Sequence, residues 1–62
     1  MNRDEVFKVK VYADVAHRAL SNLRDQIHPG EIPEDVAAKL REAEVACLQL
    51  LLLSSARFRE VL

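Results

Sequence analysis

The chain has 62 residues, of which half are hydrophobic, only three are aromatic and one is glycine. This balance is typical of leucine- and alanine-rich helices and argues against a turn-rich β fold. Nine Lys and Arg residues against ten Asp and Glu residues give a formal net charge of −1, which excludes a global positive field that would attract nucleic acid or anionic lipid.

The first half of the chain predicts a helix over about residues 2–28. Asn2 and Glu5 fit a capping box, and Asp14 and Arg18 form an acid-before-base pair four residues apart. Residues 7–13 also alternate between apolar and polar types, so a strand over these residues is the alternative interpretation. Apolar residues at spacings of three and four predict the face that packs: Val6, Val9, Ala13, Ala16, Leu20, Leu23 and Ile27.

The stretch HPGEIP interrupts this pattern and predicts a turn over residues 29–32. Pro29 disfavours helical geometry at His28, and Gly30 can adopt a positive φ. Pro33 suits the first turn of a new helix, because its missing N–H would have no partner there. We therefore expect Gly30 and Pro33 to be structural turn residues.

The second half predicts a helix over about residues 33–61, with Glu34 and Asp35 in its first turn. Between residues 45 and 53 this helix is apolar on nearly every side, so it must be buried on more than one face. The first helix can cover only one face, which predicts a protein-binding surface on the second helix. We expect that surface to contain Val45, Leu48, Leu51, Leu52 and Phe58. The predicted face toward the first helix contains Val36, Leu40, Ala43, Cys47, Leu50 or Leu51, Phe58 and Leu62.

No arrangement of residues predicts catalysis, a cofactor or a metal site. His17 and His28 lie eleven residues apart without a nearby second ligand, and Cys47 is embedded among leucines, where it behaves as a small hydrophobe. The amino-terminal residues are charged where a signal peptide would be apolar, and the longest apolar run is too short to span a membrane. We expect a non-enzymatic, cytoplasmic protein without a transmembrane segment.

The sequence thus predicts an all-α fold, a single domain built as a two-helix antiparallel hairpin. A chain this short buries only about 60% of the surface that it exposes when unfolded, so we expect completion by a partner chain or by a second copy in a four-helix bundle. Three binding functions remain open. They are a protein-interaction module, a homodimeric bundle that binds RNA or a regulatory protein, and a ribbon-helix-helix repressor that uses residues 7–13 as its strand.

One stretch supports a particular family. The pattern formed by Arg24, Ile27, Gly30, Pro33 and Glu34, followed by Ala43 and the run LQLLLLSS, resembles the small E-type co-chaperones of type III secretion needle subunits. The resemblance covers roughly the second two-thirds of the chain. It implies a helical hairpin that docks its apolar second helix, through Leu48, Leu51 and Leu52, on a larger chaperone built of helical repeats.

Overall fold

Two long helices form the structure. The computed structural model describes residues 2–28 and 30–60, in which α1 spans Arg3–Gln26 and α2 spans Glu34–Glu60. The helices run antiparallel as a hairpin about 45 Å long and 16 × 13 Å across. No strand occurs in the described residues, so the all-α hairpin prediction is confirmed. The expected bounds of 2–28 and 33–61 are slightly wide, and position 61 lies outside the described residues.

The amino-terminal end of α1 is held by a side-chain cap. Asn2 has an extended conformation, and its Oδ1 accepts a hydrogen bond from the backbone N–H of Glu5 at 2.9 Å. Asp4 and Glu5 also place negative charge near the positive end of the helix dipole. Because the helix begins this early, residues 7–13 lie inside it, and the alternative of a strand over these residues is wrong for this structure.

The connection between the helices depends on Gly30. Helix α1 ends at Gln26, and Ile27 is extended with φ −107° and ψ 146°. Gly30 has a φ of +98°, as predicted for the turn, and the N–H of Glu31 donates to the carbonyl of His28 at 3.1 Å. Pro33 immediately precedes α2, and its carbonyl accepts from the N–H of Ala37 at 3.0 Å. Pro29 lies outside the described residues.

Gly30→Ala is expected to lower the free energy of unfolding by about 1 kcal/mol, because a Cβ is disfavoured at positive φ. No atom outside its chain neighbours lies within 4 Å of the position of that Cβ, so the cost comes from the backbone conformation and not from a clash. Urea denaturation at a fixed protein concentration measures the change. Gly30→Asn is the control and should cost less, since Asn tolerates positive φ better. Equal stability of Gly30→Ala and the wild type would contradict the proposed role.

The packed face of α1 largely follows the prediction. Val6 and Ala13 are 5% and 3% exposed and form the core, and Leu20 and Ile27 are half-buried. Leu23 was also expected in this face, but its side chain is 46% exposed. The face toward α2 is therefore rotated away from Leu23.

The packed face of α2 also follows the prediction at most positions. Its members again follow spacings of three and four, and they are buried or half-buried: Ala37, Leu40, Glu44, Cys47, Leu51, Ser54 and Phe58. Val36 was expected in this face but is 52% exposed, so that placement is corrected. Of the two alternatives Leu50 and Leu51, Leu51 is the packed residue and Leu50 is 46% exposed. Leu40, Ala43, Cys47 and Phe58 are half-buried as expected, and the prediction is wrong by one residue, or about 100° around the helix, only at Val36, where Ala37 packs instead. Periodicity left Leu50 and Leu51 as alternatives because the leucine-rich segment has no polar side that would fix its orientation. The expected contribution of Leu62 lies outside the described residues.

Two polar residues consequently occupy buried positions on α2. Ser54 is 5% exposed, and its Oγ donates toward the carbonyls of Leu50 at 2.7 Å and Leu51 at 3.1 Å. Glu44 is 7% exposed, and its Oε2 accepts from Nη1 of Arg24 on α1 at 2.9 Å. Its Oε1 is buried without a hydrogen-bond partner. The hairpin interface is thus mixed rather than purely apolar.

Candidate protein-docking surfaces

The five residues predicted to bind a partner divide into two groups. Val45, Leu48 and Leu52 are 54%, 40% and 61% exposed, and their spacing places them on one side of α2. We call these three residues the leucine stripe. Leu51 and Phe58 are instead half-buried and belong to the packed face of α2. The structure therefore brings three of the five together on an accessible surface.

Phe58 closes the open end of the hairpin. Its ring centroid lies 5.7 Å from that of Phe7, with the two rings inclined at 45°. Two cations also lie over the Phe58 ring, with the guanidinium carbon of Arg3 at 5.3 Å and Nζ of Lys10 at 5.4 Å from the centroid. Such contacts contribute about 0.5–1 kcal/mol each at exposed sites. Phe58 thus holds α1 and α2 together at this end.

A second apolar surface lies on the opposite side of the hairpin. Leu50 precedes the packed residue Leu51 and Leu52 follows it, so their side chains leave the helix about 100° to either side of Leu51. Leu50 and Val9 line two adjoining hollows on this side, which together we call the apolar groove. Its apolar lining consists of Val6, Val9, Ala13 and Ala16 from α1 with Cys47, Leu50 and Leu53 from α2.

Sequence reasoning placed most of these residues in the hairpin core and therefore missed the groove. Val9, Ala16 and Leu23 recur every seven residues, which predicts a packed face. The same repeat also fits a flank of that face. On α2, the sequence feature that could have revealed the groove is Leu53, which lies three residues from Leu50 and therefore beside it on the helix surface. Its side chain is 56% exposed.

The charged side chains form mainly local, solvated pairs. Arg18 lies 3.1 Å from Asp14, which confirms that predicted pairing, and Arg41 lies 2.9 Å from Glu34. Lys39 lies 3.1 Å from Glu42. Exposed pairs of this kind contribute about 0–1 kcal/mol each.

The residues with reactive or metal-binding side chains are dispersed. His17 is half-buried and His28 is exposed, whereas Cys47 lies half-buried at the groove. Within residues 2–28 and 30–60, no three His, Cys, Asp or Glu side chains are close enough together to hold a metal ion. The carboxylate of Asp35 accepts from the N–H of Val36 at 2.9 Å, as expected at the start of a helix.

The fold and its surfaces define a helical hairpin that exposes apolar side chains on both sides. Neither described helix is long and apolar enough to cross a membrane. Comparisons with protein-family models, with curated proteins and with solved structures found no match to this chain.

Proposed function

We propose that this chain is a non-enzymatic protein-interaction module that acts by burying its leucine stripe against another protein. The observation that carries the proposal is the stripe itself, in which Val45, Leu48 and Leu52 are each at least 40% exposed on one side of a single helix. Scattered apolar side chains are normal on a protein surface, whereas contiguous ones mark interaction sites.

The geometry of the stripe favours a helical partner. Residues at spacings of three and four form a straight ridge along a helix, and such ridges pack into the grooves between side chains of another helix. The resemblance to E-type co-chaperones supports the same kind of partner. We accordingly propose a cytoplasmic co-chaperone of type III secretion, whose partner is a larger chaperone built of helical repeats.

The two nucleic-acid functions receive less support. A ribbon-helix-helix repressor needs a strand over residues 7–13, which are helical here. An RNA-binding bundle needs basic side chains free to contact phosphates, yet Arg18 is paired with Asp14 and Arg24 with Glu44. Neither nucleic-acid function would use the leucine stripe, because contacts to phosphate are made by basic side chains.

The proposal is tested by replacing two leucines of the stripe. Tagged wild-type chain is used to recover its partner from the source cells, and the dissociation constant is then measured with the purified partner. Leu48→Asp combined with Leu52→Asp is expected to raise that constant at least ~100-fold, because the interface would bury unpaired carboxylates. Both side chains are exposed in the hairpin, so the helical circular dichroism signal should persist.

Ala46→Asp is the matched control, since it introduces the same carboxylate at an exposed position of the same helix that is neither three nor four residues from any member of the stripe. It should bind like the wild type. Unchanged affinity of the double variant would overturn the leucine stripe as the docking surface. Equal loss in the control and in the double variant would show an effect of charge alone and would also overturn it.

A further inference from the structure

We infer that the apolar groove is occupied by a second copy of this chain, which lies antiparallel to the first and forms a four-helix bundle. The groove is on the opposite side of the hairpin from the leucine stripe, so this association leaves the stripe accessible. The dimer and the docking function therefore use separate surfaces and can be tested separately. Three observations support a second copy as the occupant.

The first observation is the surface area. A folded monomer of 7.0 kDa is expected to expose about 4,000 Å². This chain exposes 4857 Å², an excess of about 800 Å², and about 800 Å² is what each partner contributes to a protein interface of standard size. A symmetric dimer would remove the excess from both copies with one interface.

The second observation is the shape of this side of the hairpin. The groove lies near the open end, around Val9 and Leu50, whereas Leu23 and Val36 are 46% and 52% exposed toward the turn. By their helical positions these two residues lie on the groove side, one on each helix. An antiparallel two-fold arrangement places the turn half of each copy over the groove of the other. The surface is thus complementary to itself.

The third observation is the distribution of charge along the hairpin. Residues 25–38, around the turn, contain four carboxylates and no Lys or Arg. At the open end, residues 3–10 and 57–60 contain five Lys or Arg and three Asp or Glu. An antiparallel pair places the basic end of each copy beside the acidic turn of the other, whereas a parallel pair would oppose like charges. Charge complementarity therefore selects both the occupant and its direction.

The first experiment measures the mass of the full chain by light scattering during size exclusion over a range of concentrations, with circular dichroism on each sample. The wild type is expected at about 14 kDa, twice the mass of 7.0 kDa. Leu53→Asp, in the groove, should raise the dimer dissociation constant at least ~100-fold. Leu52→Asp is the matched control on the other side of the helix and should leave the dimer intact.

A second set of variants tests whether the two copies lie antiparallel. All four substitutions are at exposed residues, so they leave the hairpin core intact. Lys8→Glu with Arg57→Glu reverses charge at the rim of the groove, and Glu31→Lys with Asp35→Lys reverses it at the turn. Each pair should weaken the dimer about 10-fold, because like charges would then face each other. All four substitutions together should restore affinity to near the wild-type value, and 0.5 M NaCl should reduce the differences.

A wild-type chain that is helical but monomeric at about 7 kDa would overturn the inference. So would a dimer that Leu52→Asp dissociates and Leu53→Asp does not, since that dimer would use the leucine stripe. A dimer that the fourfold charge variant fails to restore would overturn the antiparallel arrangement. None of these results depends on whether the leucine stripe binds a foreign protein, which is measured separately with that protein.

Discussion

Leu51→Asp is expected to unfold the isolated chain, although the same substitution at the adjacent Leu52 should leave it folded. Leu51 is half-buried in the packed face of α2, whereas Leu52 is 61% exposed. Losing the leucine and placing a carboxylate between the helices should cost about 3–5 kcal/mol. A domain of this length has only about 3–9 kcal/mol of total stability. The single change is therefore comparable to the whole free energy of folding.

Far-UV circular dichroism and urea denaturation at one protein concentration measure this contrast. Leu51→Asp should show a strong loss of helical signal at 25 °C, and Leu52→Asp should unfold within about 0.5 kcal/mol of the wild type. Leu51→Met is a further control that retains an apolar side chain and should cost less than about 1.5 kcal/mol. If Leu51→Asp and Leu52→Asp were equally stable, the orientation of α2 described above would be wrong.

Arg24→Met should destabilise the hairpin by about 2 kcal/mol, because it leaves the buried carboxylate of Glu44 without its cation. This figure is below the usual cost of breaking a fully buried ion pair, since the side chain of Arg24 is 56% exposed and solvent screens part of the interaction. Asp25, whose Oδ1 lies 3.7 Å from Arg24, is itself a carboxylate and so supplies no replacement cation to Glu44.

The double variant Arg24→Met with Glu44→Leu separates the cost of an unpaired charge from the value of the ion pair. Apolar replacement of both partners is often neutral or stabilising, so the double variant should unfold at a urea concentration at or above that of the wild type. Glu44→Leu alone should cost little, because the remaining Arg24 can be solvated. If the loss of unfolding free energy in the double variant equalled the sum of the losses in the two single variants, Arg24 and Glu44 would not be coupled.

The ion pair between Arg24 and Glu44 helps to fix the register, that is, the alignment of α1 against α2. Arg24 and Glu44 can meet only when α1 and α2 are aligned as observed, and the contact between Phe7 and Phe58 requires nearly the same alignment at the other end. A polar group in an otherwise apolar packed face can specify alignment at some cost in stability. The stabilising effect expected for the double variant would accordingly come with a less specific register.

Local chemistry made much of the fold predictable. The cap at Asn2, the positive φ of Gly30 and the place of Pro33 before α2 all depend on residues within a few positions of one another. The heptad pattern of α1 also identified its buried residues Val6 and Ala13, because polar residues between them define an apolar side. These features need no information from the other helix.

The candidate surfaces were less predictable for a physical reason. The exposed side of α2 was expected from its excess of leucines, and Val45, Leu48 and Leu52 do lie there. A segment that is apolar all round has no preferred orientation of its own, so periodicity cannot decide whether Leu50 or Leu51 is buried. That choice, and with it the division into a leucine stripe and an apolar groove, is made by contacts between residues far apart in the chain. Composition and local pattern determine that this protein is a helical hairpin with uncovered apolar surface, and only the packing of α1 on α2, through Arg24 with Glu44 and Phe7 with Phe58, decides which leucines form that surface.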